Sequence, residues 1–150
     1  MRISQALSRL QTIRQLEDPP QFIVFHCGGN DIGAYSLWDL RYQIKYVLRN
    51  MIDMFPNTKI IWSQILPRKN WRYSRNEKAM ERSRCRVNSA AATETIRSGG
   101  GYIKYMDIKY SLLADDGVHL SSLGYEVFLN TIQGALESFI DSSYTVVFPY

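Results

Sequence analysis

A chain of 150 residues, 45% hydrophobic and 21% charged, has the size and composition of one globular domain. That composition excludes a disordered chain, and apolar runs as short as Phe22 to Phe25 exclude a membrane-spanning segment. The net charge of +4 is concentrated locally: residues 68–86 hold eight basic and two acidic side chains.

Arg2 to Leu16 reads as a helix, with Ile3, Leu7, Leu10 and Ile13 at spacings of three and four. Asp18-Pro19-Pro20 stops it. Gln21 to Cys27 is a continuous apolar run, β-branched and aromatic, ended by Gly28-Gly29; this is the pattern of a strand buried on both faces. Ser36 to Phe55 has helical periodicity through Leu37, Leu40, Ile44, Val47, Leu48 and Met51. Ser36 is placed to cap it and Asp39 lies in the first turn. Lys59 to Leu66 is the second strand, closed by Pro67. Ser74 to Arg97 is a long helix with Met80, Val87, Ala90 and Ala91 facing inward, and Gly99 to Gly101 end it. Tyr102 to Asp107 is a third strand. Ser121 or Ser122 caps a last helix with a predicted stripe of Tyr125, Phe128, Leu129, Ile132 and Leu136. Residues 142–150 form a short tail. Strands alternating with helices predict an α/β domain with a parallel sheet and helices on both faces, in which ligands bind beyond the C-terminal ends of the strands.

Two polar clusters fall at that edge. Gly28-Gly29-Asn30-Asp31 follows the first strand directly. Its glycines allow close approach of backbone to a ligand, and Asn30 offers a neutral amide donor to a developing oxyanion. A plain glycine turn with a capping side chain is the other reading. Asp116-Gly117-Val118-His119 precedes the last helix. An Asp three residues ahead of a His in a turn can reach its ring, fix the tautomer and support an imidazolium. A solvated loop is the alternative. Together, an oxyanion donor and an oriented base are two of the three parts of an acyl-transfer site.

The two clusters resemble signature blocks of the SGNH (GDSL-type) hydrolases. Gly28-Gly29-Asn30-Asp31 is similar to the G-x-N-D block, and Asp116-Gly117-Val118-His119 to the D-x-x-H block that precedes the C-terminal helix. The resemblance runs from Gln21 to about Ile140. It implies a three-layer, flavodoxin-like parallel sheet, with Asn30 in the oxyanion hole, His119 as general base and Asp116 as its orienting partner. Gly28, Gly29 and Asp31 would shape the oxyanion loop. A complete domain of this kind hydrolyses a small ester without metal or organic cofactor. The departure is equally specific. Only 27 residues precede Gly28, and most of them read as one helix. The family's first two strands, with the G-D-S block that carries the nucleophile, have no counterpart, so residues 1–150 are expected to form a partial domain that is catalytically incompetent. Cys27 adjoins the glycine turn, but its place in the strand argues against a substitute nucleophile. His26, on the opposite sheet face, is expected to be a packed histidine.

Three further expectations concern partners and setting. Arg75, Lys78, Arg82 and Arg86 are spaced as one cationic helix stripe, either a solvated face or an anion-binding surface for nucleic acid or lipid head groups. The strand 21–27, lacking its family neighbour, would expose an edge open to homodimer pairing or to capping by residues 144–147. Cys27 and Cys85 read as separate reduced thiols. With no leader-like apolar segment after Arg2, they fit an intracellular setting.

Overall fold

A computed structural model of the chain describes all 150 residues. After a 3-10 turn at Ile3–Gln5, the elements are α1 (Ala6–Leu16), β1 (Phe22–Phe25), α2 (Leu37–Met54), β2 (Lys59–Ser63), α3 (Glu77–Arg97) and β3 (Gly101–Ile103). A second 3-10 turn at Tyr110–Leu112 precedes α4 (Ser122–Asp141) and β4 (Val147–Phe148). The helix starts expected at Ser36 and Ser121 are in place, while α3 begins three residues later than the expected Ser74, because Asn76 caps it. Ser36 Oγ accepts from the Asp39 N–H, Asn76 Oδ1 from the Ala79 N–H, and Ser121 Oγ from the Gly124 N–H. Each predicted strand is shorter than its apolar run, because the run continues into the loop at the strand's C-terminal end.

The four strands form one parallel sheet in the order β1-β2-β3-β4, with Val24 opposite Ile61 and Trp62 opposite Tyr102. The sheet steps in one direction from β1 to β3. Right-handed crossovers therefore put α2 and α3 on the same face, where α1 joins them. Side-chain alternation along β2 divides the core. Ile60 and Trp62 point into a cluster of 18 buried residues shared with β1 and the first three helices. Ile61 points into a cluster of six with Ile103, Tyr105, Ile108, Ala135 and Phe139 beneath α4. The result is the α/β three-layer arrangement expected from the sequence.

The end of β2 is fixed by a buried amide. Asn88 Oδ1, on α3, accepts from Trp62 Nε1 at 3.0 Å and from the Ile65 N–H at 2.8 Å, while its Nδ2 donates to the Ile65 carbonyl. Arg84 Nη1 donates to that same carbonyl, and its other nitrogens pair with Glu81. A polar residue at this depth is tolerated because every group is matched, and it sets where the strand stops and the loop begins.

Two packing expectations need correction. In α4, Tyr125 and Leu129 are exposed, and the residues nearest the sheet are Gly124, Ala135 and Phe139, with Phe128, Ile132 and Leu136 half-buried. The helix is rotated toward its small residues, which allow closer approach. The tail does not cap β1. Val147 and Phe148 pair with Tyr102 and Ile103 on the opposite edge of the sheet, leaving β1 with β2 as its single strand neighbour.

Candidate active site

A cleft of about 870 Å³ opens beyond the C-terminal ends of the strands. Its walls include Gly28, Gly29 and Asn30 from the loop after β1, Arg68 from the loop after β2, and Asp116 and His119 from the loop before α4. The strand-end rule applied to the sequence therefore brings Asn30 and His119 into one cavity.

The loop after β1 turns through Gly28 at φ +98°, a conformation that side chains with a Cβ rarely adopt. At Gly29 a Cβ would lie 2.5 Å from Arg68 Nη2, so glycine is needed for the guanidinium to approach. Arg68 Nη1 donates to Asn30 Oδ1 at 3.1 Å. A guanidinium is a donor only, so the Asn30 atom facing it must be the oxygen, and the Asn30 NH2 is left free for the cleft. Asp31 turns the other way. It is fully buried, and its Oδ2 accepts from the Ile3 N–H at 3.0 Å, tying the N-terminal turn to this loop. Its Oδ1 has no partner, and burial raises its pKa.

In the second loop, Asp116 Oδ1 accepts from the backbone N–H groups of Val118 and His119 at 2.8 and 2.9 Å, while Oδ2 pairs with His119 Nδ1 at 2.5 Å. The bond to His119, followed by the two backbone bonds, pulls the Asp116 carboxyl down to about 2. A carboxylate held this way keeps the imidazole oriented by Nδ1 and leaves Nε2 to exchange a proton. His119 keeps 72% of its side-chain surface exposed, so that nitrogen is accessible. The loop is laced to the one that carries Arg68. The Gly117 carbonyl accepts from the Lys69 and Asn70 N–H groups, and Asn70 Nδ2 donates to the Asp116 carbonyl at 2.7 Å.

No serine or threonine lines the cleft. Cys27 does, but burial, and then the Asp31 carboxylate, push its thiol up to about 11, away from the thiolate a nucleophile needs. Cys85 is exposed on α3 and is not among the cleft residues. Of the basic stripe, Lys78, Arg82 and Arg86 share α3 while Arg75 precedes it; all four are exposed and none lines the cleft.

Three cleft residues were not singled out by sequence as site residues. Arg68 was read only as part of the basic stretch, although its place after the second strand and Pro67 is a strand-end position. Arg2, whose guanidinium donates to the Tyr73 hydroxyl at 2.6 Å, carried no such signal. His26 meets Phe128 edge-on with ring centroids 5.4 Å apart, but it is exposed rather than packed away as expected, because it opens into the cleft. Desolvation by the groups beneath the ring, and then the Arg68 cation, lower it to about 4.

No helix is long and apolar enough to cross a membrane. No protein-family model matches the chain, and no curated protein does. Solved structures do match. A proposed acylhydrolase from Bacteroides fragilis NCTC 9343 superposes with a TM-score of 0.72 at 21% identity, over 92% of this chain and 71% of that one. TesA superposes with a TM-score of 0.67 at 14% identity, over 91% of this chain and 73% of its own. At these identities the likeness is one of fold, and together with the parallel sheet and its helices it shows that the chain has the α/β fold of these two structures.

Proposed function

We propose that residues 1–150 carry the base, acid and oxyanion-donor part of an SGNH-type ester hydrolase site, and that this part is inactive without a serine supplied from outside it. The observation that carries the reading is the convergence of Asn30 and the Asp116–His119 pair on one cleft at the strand ends. In the reaction a serine attacks the acyl carbonyl, His119 Nε2 takes its proton and returns it to the leaving alcohol, and the Asn30 NH2 holds the oxyanion. Asp116 stays ionised and steadies the imidazolium. Since triad members act as a unit, loss of the nucleophile alone removes most of the rate.

The chain by itself is expected to show no p-nitrophenyl acetate turnover that depends on His119, with His119→Ala as the control for background cleavage by imidazole. Fusing an upstream strand ending in Gly-Asp-Ser, with its following helix and glycine loop, should bring hydrolysis. That activity should vanish in His119→Ala and fall about 10²–10³-fold in Asn30→Ala. A well-folded fusion that remains inactive would overturn the assignment of Asn30 and His119. Turnover by the unfused chain that is lost in His119→Ala would show that a residue already present acts as nucleophile.

A further inference from the structure

His26 has no part in the chemistry proposed above, yet it stands in the cleft floor on a built support. Its Nδ1 lies 2.9 Å from Ser63 Oγ, and Ser63 Oγ lies 2.6 Å from the Tyr105 hydroxyl. Ser63 is fully buried and Tyr105 nearly so, and Tyr105 stacks on Phe128 at 4.8 Å. The direction of this chain follows from counting protons. The Tyr105 oxygen has Ser63 as its single partner. If His26 Nδ1 carried the proton, it would donate to Ser63, Ser63 would donate to Tyr105, and the Tyr105 O–H would be left buried with no acceptor, at a cost. If Tyr105 donates to Ser63 and Ser63 to Nδ1, every group is matched. The second arrangement leaves the proton on Nε2, the nitrogen on the far side of the ring from its buried support.

The cleft that His26 lines also holds other donors. The Asn30 oxygen is taken by Arg68, which leaves its NH2. Arg68 has no carboxylate within ion-pair distance and lies against the Trp71 ring at 5.5 Å. Asp116, the carboxylate that lines the cleft, is already occupied by His119 and two backbone N–H groups. A floor of unengaged donors complements an anionic oxygen.

We propose that His26 is a ligand-contacting residue of this cleft, held by Tyr105 and Ser63 as the neutral Nε2–H tautomer, and that with Arg68 and Asn30 it forms a subsite for a carboxylate. The proposal rests on the cleft being the ligand site of the hydrolase reading, and a carboxylate is what ester hydrolysis releases. Desolvation on the buried side of the ring, and then the Arg68 cation, favour the uncharged ring, which donates without gaining charge.

The test is NMR on the full ¹⁵N-labelled chain, with benzoate as the probe. At pH 7 the His26 ring should show the Nε2–H pattern alone, and benzoate should shift the His26 Nε2–H and Asn30 NH2 signals together and saturably. His26→Phe, which keeps a ring against Phe128, should weaken benzoate on the order of tenfold, the usual effect of one hydrogen bond to a charged group. An Nδ1–H tautomer, a His26 signal unmoved while benzoate saturates the Asn30 signal, or no saturable binding would overturn it. These signals are read without turnover, so an inactive fusion enzyme whose His26 still responds to benzoate would count against the hydrolase reading alone.

Discussion

The two faces of the sheet are built to different depths. On one, α1, α2 and α3 enclose 18 buried residues around Ile60 and Trp62; on the other, α4 alone covers six, and Phe22 and Val24 are only half-buried. His26, Tyr105 and Phe128, which support the cleft floor, belong to the thin side. The difference teaches where stability and binding are separately kept. The deep face holds the strands in register, and the shallow face leaves polar groups at the strand ends within reach of a ligand.

Truncating one aromatic on each face breaks the comparison most directly. Trp62→Ala should cost about 3–5 kcal/mol, since it empties the middle of the deep core and also removes one of the two donors to the Asn88 oxygen. Phe128→Ala, on the half-buried side, should cost only about 1–2 kcal/mol. Urea denaturation of both variants measures the gap, and equal losses would mean that the two faces contribute alike.

A smaller effect is expected where the deep face meets the cleft. Asp31→Ala removes the acceptor of the Ile3 N–H and should lower stability by about 1 kcal/mol, while Asp31→Asn, which keeps an acceptor oxygen, should lower it less. Faster amide exchange at Ile3 in the alanine variant would locate the damage at the N-terminal turn. An unchanged exchange rate there would show that the bond does not hold the turn.

The smallest effect sharpens the comparison from the shallow side. The folded state lowers His26 from 6.5 to about 4, so between those values the unfolded chain binds more protons. Stability should therefore fall as pH is lowered from about 6.5 toward 4, and His26→Gln should flatten the profile in that window. A profile of the same slope in the variant would assign the dependence to other groups. The depressed Asp116 acts in a separate, lower window: its contribution is present above 3.8 and is lost as pH falls through about 2.

Most of the fold was legible because its signals are local. Ser36 and Ser121 sit at helix starts, the alternation of apolar runs with helical periods fixes a parallel sheet, and glycine-polar clusters mark the strand ends. What was not legible depends on contacts distant in sequence. Periodicity gave the apolar side of α4 but not its rotation toward Gly124, Ala135 and Phe139, which packing against β3 decides. The β-branched tail was recognised as strand-like, but local propensity carries no information about which edge it joins. Motif and position placed Asn30, Asp116 and His119 at the strand ends, and all three line the cleft. His26 was expected to be packed but is exposed in the cleft, because its support comes from Ser63 and Tyr105, 37 and 79 positions away.

The double use of the Gly117 carbonyl by Lys69 and Asn70, reinforced by Asn70 on the Asp116 carbonyl, fastens two loops that are far apart in sequence. Mechanically they form a single latch. A fluctuation that withdraws His119 must also pull on the segment bearing Arg68, and through Arg68 it loosens the hold on Asn30. His119 and Asn30 are thereby governed by one opening equilibrium, so the cleft is assembled as a unit or not at all.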